Sequence, residues 1–334
     1  MIIDELIRDE KKNNKSIYSS GPYWDHKNSR AILEIKKKGI QDFRGLTAGI
    51  GSSFSDNEVL DVRNEYNIKG RIIGKIFSLP LLNIIFNSQL KLTKNYIQSY
   101  LLNKSLVYEN NISVRDLLKK YKFENTTEFG CISSFKYMNK KYSCHYLEMA
   151  DRINKLSKQF NFNDISSFFE IGGGFGANVH FLITNFPNIK KILYLDVVPN
   201  IYVGTQYLRS FYKDNIKDYS DLKNLDTISF SKNNELEILC IPPWLIEKVE
   251  VNIDHFHNAA SFVEMPKKIV ENYVKFIHKF KTKEISLISY DRFDLNTTFN
   301  PEELNIFFNN ELKISWKNTL IEGYNRKLIY LTSK

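Results

Sequence analysis

The sequence predicts an α/β protein, a mostly parallel sheet preceded by a mainly helical region, and three observations predict it. From about residue 165, short apolar runs alternate with stretches of helical periodicity, the mark of a parallel sheet with crossover helices. Residues 167–185 read as strand, glycine turn and helix in immediate succession. The chain then ends in two further strand-like runs, 312–316 and 328–331, joined through Gly323, which fits a terminal antiparallel hairpin.

The first 160 residues lack that alternation. Helical periodicity predicts helices at 2–13, 25–38, 57–66, 72–86, 88–103, 113–121 and 143–160. Ser113 stands as an N-cap before Val114-Arg115-Asp116-Leu117-Leu118. Residues 40–54 contain three glycines and read as an ordered loop, and 124–141 reads as a short hairpin or irregular chain. In the second half, strands are expected at 167–171, 191–196, 236–241, 251–258 and 284–290, with helices at 176–185, 201–213, 243–247 and 264–280. Two domains follow: 1–160, covering a substrate site and available for dimerisation, and 161–334, the sheet domain that carries a ligand. A homo-oligomer is compatible with this division.

Composition bounds the function. Of the 334 residues, 43% are apolar and 14% aromatic, enough for a sizeable core, and no run is long enough to span a membrane. The N-terminus has no signal-peptide pattern. Three scattered cysteines, Cys131, Cys144 and Cys240, form neither a metal spacing nor a disulfide framework, so a reducing cytoplasm is the expected compartment. The net charge of +9 comes from lysines spread along the chain rather than from an arginine-rich arm, which argues against nucleic acid and suits an anionic small substrate.

The most informative stretch is Phe168-Phe169-Glu170-Ile171-Gly172-Gly173-Gly174-Phe175-Gly176, with four glycines in five positions. Glycine tolerates positive φ and lets backbone amides approach a ligand closely. The spacing Glu170-x-Gly172-x-Gly174-x-Gly176 resembles motif I of class I S-adenosylmethionine (SAM) methyltransferases. There the glycines, here with Gly173 among them, make room for the methionine part of the cofactor, and the acid holds that region. Gly172-x-Gly174-x-x-Ala177 also satisfies the dinucleotide fingerprint. The position of Glu170, two residues before Gly172, favours SAM. Asp196 ends the second strand, with Val197 beside it, and an acid there accepts hydrogen bonds from ribose hydroxyls in either case.

Three runs carry a closer resemblance: the glycine stretch through Ala177-Asn178; Tyr194-Leu195-Asp196-Val197-Val198-Pro199-Asn200 onward; and Ser261-Phe262-Val263-Glu264-Met265. With Tyr23-Trp24, Phe43-Arg44 and Tyr142-Ser143 upstream, the chain resembles the sugar O-methyltransferases of bacterial surface-polysaccharide (capsule, lipopolysaccharide) gene clusters over most of its length. The resemblance implies a Rossmann-like class I methyltransferase domain and SAM-dependent methylation of a sugar hydroxyl, on a nucleotide sugar or a glycan intermediate.

Ligands of open α/β sheets bind beyond the carboxyl ends of the strands, so candidates are sought there. A sugar hydroxyl needs a base or a metal to lose its proton. His255 and His257, on one face of the fourth strand, have the right intrinsic pKa for a base. Glu264, opening the next helix, and Asp291, after the fifth strand, are further candidates, as is His145 on the helix leading into the sheet domain. Tyr142 and Asn258 are expected beside the cofactor, and Ser261 and Arg292 on the substrate side. Ile241-Pro242-Pro243-Trp244 looks like an amino-group methyltransferase box, but Ile241 replaces the side chain that would accept the amine's hydrogens. Pro243 and Trp244 are expected instead as a wall near the adenine. Asp254, Glu264 and Asp291 could converge on Mg²⁺, for which no ligand set is assigned. An NAD-dependent sugar oxidoreductase or epimerase is the alternative enzyme, although no Tyr-x-x-x-Lys pair follows the fourth strand. A nucleic-acid methyltransferase is the other alternative.

Overall fold

The computed structural model describes residues 2–13, 17–45, 114–131, 134–137, 139–290, 301–317 and 328–333. The helices expected at 57–66, 72–86 and 88–103, the Ser113 cap, most of the 40–54 loop, the loop through Gly323, and Asp291 and Arg292 lie outside the described residues.

Among the described residues the chain begins with α1 (Ile2–Lys12), α2 (Pro22–Lys38) and α3 (Val114–Lys120). A small antiparallel hairpin follows, β1 (Phe135–Tyr137) and β2 (Lys140–Tyr142), and then α4 (Cys144–Leu156). The sheet region runs β3 (Ser167–Ile171), α5 (Ala177–Asn185), β4 (Lys191–Leu195), α6 (Asn200–Tyr212), β5 (Ile216–Lys217), α7 (Tyr219–Leu222) and β6 (Glu237–Ile241). It continues with β7 (His255–Ala259), α8 (Lys267–Lys279), β8 (Glu284–Tyr290), α9 (Pro301–Phe307), β9 (Leu312–Lys317) and β10 (Leu328–Ser333).

The eight-stranded sheet has the order β5-β6-β4-β3-β7-β8-β10-β9. Strands β5 to β8 and the central β3 and β4 pair in parallel, whereas β10 is antiparallel to both β8 and β9. From β3 the chain passes to β4 beside it, then to the edge strand β5, fills the place between them with β6, and returns to the other side of β3 for β7 and β8. The order reverses between β3 and β7, which makes the carboxyl ends of these two strands the crevice where such sheets bind ligands. The antiparallel strand beside β8 sets this sheet apart from the dinucleotide fold, which continues with a parallel sixth strand. This is the Rossmann-like class I methyltransferase layout.

Strand β3 is buried along its whole length, as expected of a central parallel strand covered on both faces. Its successive side chains serve opposite faces. Phe168 stacks on His255 (centroids 5.7 Å apart), with Phe160 and Phe162 also against that histidine. Phe169 meets Phe256 and Phe280, the latter just beyond α8. Helices α4, α5 and α6 interlock through Tyr146, Phe181, His180 and Tyr207, and the Tyr146 and Tyr207 hydroxyls are hydrogen-bonded to each other.

Several elements differ from the sequence expectation. Residues 243–248 form a 3₁₀ helix, opened by Pro242 at the N-cap and Pro243 at the first position. Residues 251–254 are irregular. Asp254 leaves the strand pattern to accept from the Ser166 and Ser167 amides (2.9 and 3.0 Å), tying the start of β7 to the start of β3. Strand β5 and helices α7 and α9 had no periodicity to announce them. The four-residue α7 is held by a capping box between Asp218 and Asp221.

Candidate active site

The glycine turn between β3 and α5 is built by the protein's own packing as much as for a ligand. Gly172, Gly174 and Gly176 have φ of +72°, +64° and +83°. A Cβ on Gly172 would lie 2.5 Å from Ser261 Cβ, and one on Gly173 2.6 Å from Glu170 Oε2. One on Gly176 would lie 2.9 Å from Leu208 Cγ. The glycines therefore let the β7 loop, the Glu170 carboxyl and α6 close on the turn.

Glu170 is only 2% exposed. Its Oε1 accepts from Asn178 Nδ2 (2.9 Å) on the first turn of α5, and among the described residues its Oε2 has no hydrogen-bond partner. Burial pushes its carboxyl up to about 7, against the Asn178 hydrogen bond and with Asp196 adding to the rise. Asp196, at the end of β4, accepts from the Gly174 amide (2.8 Å) through Oδ2 and from the Val197 amide (2.7 Å) through Oδ1. Burial raises it to about 7 as well, opposed by those amides and by Asn200, while Glu264 adds to the rise. The Tyr194 hydroxyl donates to the Gly174 carbonyl (2.5 Å), so the turn is held from below by two residues of β4 and its end. Asn178 and Tyr194 were not singled out from the sequence. Asn178 stands two residues after Gly176 and Tyr194 two before Asp196, each inside a run that carried the resemblance.

Across the crevice, Asn258 lies near the end of β7 and Ser261 just after it. Asn258 Nδ2 donates to the Ile171 carbonyl (2.9 Å) and to Ser261 Oγ (2.5 Å), and its Oδ1 accepts from the Phe262 amide (3.1 Å). Both ends of this 1% exposed amide are engaged by the fold, so Asn258 clasps the β7 loop to β3. Ser261 sits over Gly172 with its Oγ 3.2 Å from the Ile171 carbonyl. Pro243 and Trp244 follow β6, at the same end of the sheet, and Trp244 lies edge-on to Tyr219 (5.9 Å).

The two strand histidines are not at the crevice mouth. His255 is fully buried, its Nδ1 3.2 Å from Glu284 Oε2 and its Nε2 2.7 Å from Ser286 Oγ. His257 Nδ1 is 2.8 Å from the same hydroxyl. Burial lowers both, with the neighbouring His255 and Arg152 helping to bring His257 to about 3. They are core histidines, kept neutral by desolvation, and the expectation that either is the base is corrected. Asp254 likewise lies at the amino end of β7, bound to Ser166, Ser167 and Lys283, at the opposite end of the strand from Glu264. Its part in a shared metal set is corrected too.

The N-terminal region supplies the rest of the wall. His145, on α4, lies against the Phe175 ring of the glycine turn (5.1 Å), and Tyr142 packs edge-on to Phe123 (5.6 Å). Phe43 meets Phe175 (5.3 Å) and Tyr207 (6.0 Å). The fully buried Arg44 guanidinium stands over Phe175 (5.1 Å) and donates to the Thr126 carbonyl (2.8 Å) and Ser143 Oγ (2.5 Å). Glu264, ending the 3₁₀ turn Phe262–Glu264, accepts from the Trp24 indole of α2 (2.9 Å). Among the described residues no group of three or more His, Cys, Asp or Glu side chains is placed to hold a metal. No helix there is long and apolar enough to cross a membrane.

No family model and no curated protein matches the chain. Solved structures match at low identity. One is magnesium protoporphyrin IX methyltransferase from Synechocystis PCC 6803 with bound SAM (10% identity, 57% of this chain and 80% of that chain, TM-score 0.37). Another is human N-acetylserotonin methyltransferase in complex with SAM (12% identity, 57% of this chain and 54% of that one, TM-score 0.36). A third is the mitomycin 7-O-methyltransferase (9% identity, 78% and 71%, TM-score 0.34). These likenesses decide nothing about ligand or substrate, and the fold rests on the strand order itself.

Proposed function

We propose that this chain is a SAM-dependent O-methyltransferase that methylates a sugar hydroxyl, on a nucleotide sugar or a surface-glycan intermediate. One observation carries the methyl-transfer part: a glycine turn and two buried carboxyls converge at the strand-order reversal of a sheet whose strand beside β8 is antiparallel. The sugar part rests on the sequence resemblance of the glycine run, the Asp196 run and the Ser261–Met265 run.

The residues present fit the cofactor. Asp196 is the acid that ribose hydroxyls require at the end of the second strand. Glu170 offers a buried oxygen without a hydrogen-bond partner among the described residues, next to the glycine turn. Pro243 and Trp244 are the apolar wall for the adenine, and Tyr142 and His145 lie on the covering side. SAM, when bound, supplies an electrophilic methyl group on a sulfonium. The chain's own work is positioning and proton removal. Holding an acceptor hydroxyl in line and excluding water can supply much of the rate. Glu264, in the turn that follows β7, is the candidate base, with its carboxylate held by the Trp24 N–H. Ser261 lies beside it for the acceptor. Asp291 and Arg292, next after β8 in the sequence, are assigned to the acceptor by that sequence position alone. Mg²⁺ is left without ligands.

The test is calorimetric titration with S-adenosylhomocysteine and, separately, NAD, followed by a methyl-transfer screen of nucleotide sugars. Micromolar S-adenosylhomocysteine binding that Gly174→Arg abolishes is expected. Binding of NAD instead would overturn the reading in favour of an oxidoreductase. Binding of S-adenosylhomocysteine with methyl transfer only to nucleic acid would overturn the sugar.

A further inference from the structure

Three contacts of residues 18–24 with the sheet domain fall on stretches that follow strand ends. The Tyr18 hydroxyl donates to Glu247 Oε1 (2.5 Å), after β6. Gly21, with φ of +81°, is packed so closely on Pro266 that a Cβ there would lie 2.9 Å from the proline Cδ. The Trp24 indole N–H donates to Glu264 Oε2 (2.9 Å), after β7 and 240 residues away in the chain. Pro266 is two residues from Glu264, so the second and third contacts seat the first turn of α2 on one short loop. Trp24 is itself fixed: its ring lies edge-on to Tyr23 (5.4 Å), and the Lys27 ammonium stands 5.1 Å from the centre of the indole. The Glu264 charge also adds to the rise of the Asp196 carboxyl.

We propose that Trp24 is a positioning residue, whose indole N–H fixes the Glu264 carboxylate at the acceptor side of the crevice, so that α2 completes the reaction site. This role rests on the methyl-transfer reading. The physical basis is the strength and direction of a hydrogen bond to a charged acceptor. A carboxylate on a short loop has several rotamers of similar energy. A rigid donor on a separate, docked helix selects one of them. A ring alone could pack against the loop, but only the N–H can choose the carboxylate's orientation.

The experiment uses the full chain labelled with ¹⁵N in its tryptophan indoles, which gives three indole N–H resonances for the three tryptophans. Trp24→Phe identifies the resonance by its loss, and Trp244→Phe with Trp316→Phe identify it by elimination should that variant not fold. Glu264→Gln is expected to shift the Trp24 resonance upfield and leave the other two in place. Saturating S-adenosylhomocysteine, added to the wild-type chain, is expected to shift the same resonance, because filling the crevice changes the surroundings of Glu264. A Trp24 resonance that Glu264→Gln does not move would overturn the proposal. So would one that responds to Glu264→Gln yet ignores S-adenosylhomocysteine while calorimetry records binding, since the pair would then be a remote structural contact. Absence of any binding heat in the wild type would instead sink the methyl-transfer reading, and the proposal with it.

Discussion

At the scale of single residues, the glycine turn shows how one atom decides a site. Gly172 has a φ that side chains avoid, and the space its Cβ would take is filled by Ser261. Gly172→Ala is therefore expected to cost about 1–3 kcal/mol in a urea titration. Ser261→Gly in the same chain should recover the part that comes from the clash and leave the backbone part. An unchanged urea midpoint in the single variant would mean that the turn is looser than described. The glycines were legible in the sequence as a ligand cradle. Their service to Glu170, Ser261 and Leu208 was not, since those partners come from other elements. Trp24 shows the reverse. The pair Tyr23-Trp24 was visible as part of a resemblance, but nothing local says that its indole reaches Glu264.

At the scale of elements, β7 was read correctly as a strand and incorrectly as a source of the base. Alternation placed His255 and His257 on one face, and they do share Ser286. What alternation cannot supply is which face is covered and how far along the strand the crevice begins. Phe160, Phe162 and Phe168 pack on His255, Phe168 also reaches His257, and burial lowers both histidines. His257 is lowered to about 3 by burial, then by His255 and Arg152, whereas an unfolded histidine titrates at 6.5. Its contribution to stability is thus complete above 6.5 and is lost as the pH falls from 6.5 toward 3. Between pH 6.5 and pH 5 that loss is about 2 kcal/mol for one histidine. Urea midpoints measured across this range should fall steeply in the wild type and less steeply in His257→Gln, which keeps a partner for Ser286. Parallel slopes would show that His257 does not titrate on unfolding.

At the scale of the molecule, the buried apolar residues form one cluster from Ile3 near the start to Leu331 near the end. Phe43 is the clearest link. It is fully buried, and it reaches Phe175 of the glycine turn, Phe129 and Tyr207. The close seat of this ring on Gly130 leaves no room for a side chain there. Phe43→Ala is expected to cost about 3–5 kcal/mol, the usual toll of emptying a large aromatic site. Because the lost ring supports both regions, far-ultraviolet circular dichroism and tryptophan fluorescence should report one shared transition, shifted together. Two separated transitions would mean that the N-terminal helices fold independently of the sheet.

The sequence by itself determined the α/β class, the place of five of the six parallel strands to within a few residues, the two carboxyls Glu170 and Asp196, and the glycine turn between strand and helix. All of these are written in local periodicity and in spacing within a single βα unit. Only the tertiary structure decided which strand lies beside β8, that Asn258 and the two histidines are spent on the fold, that Asp254 faces the wrong end of β7, and that α2 brings Trp24 to Glu264. These are matters of burial and of contact between residues tens to hundreds of positions apart, and a side chain's role as ligand, base or clasp depends on the solvent and partners that such contacts leave it.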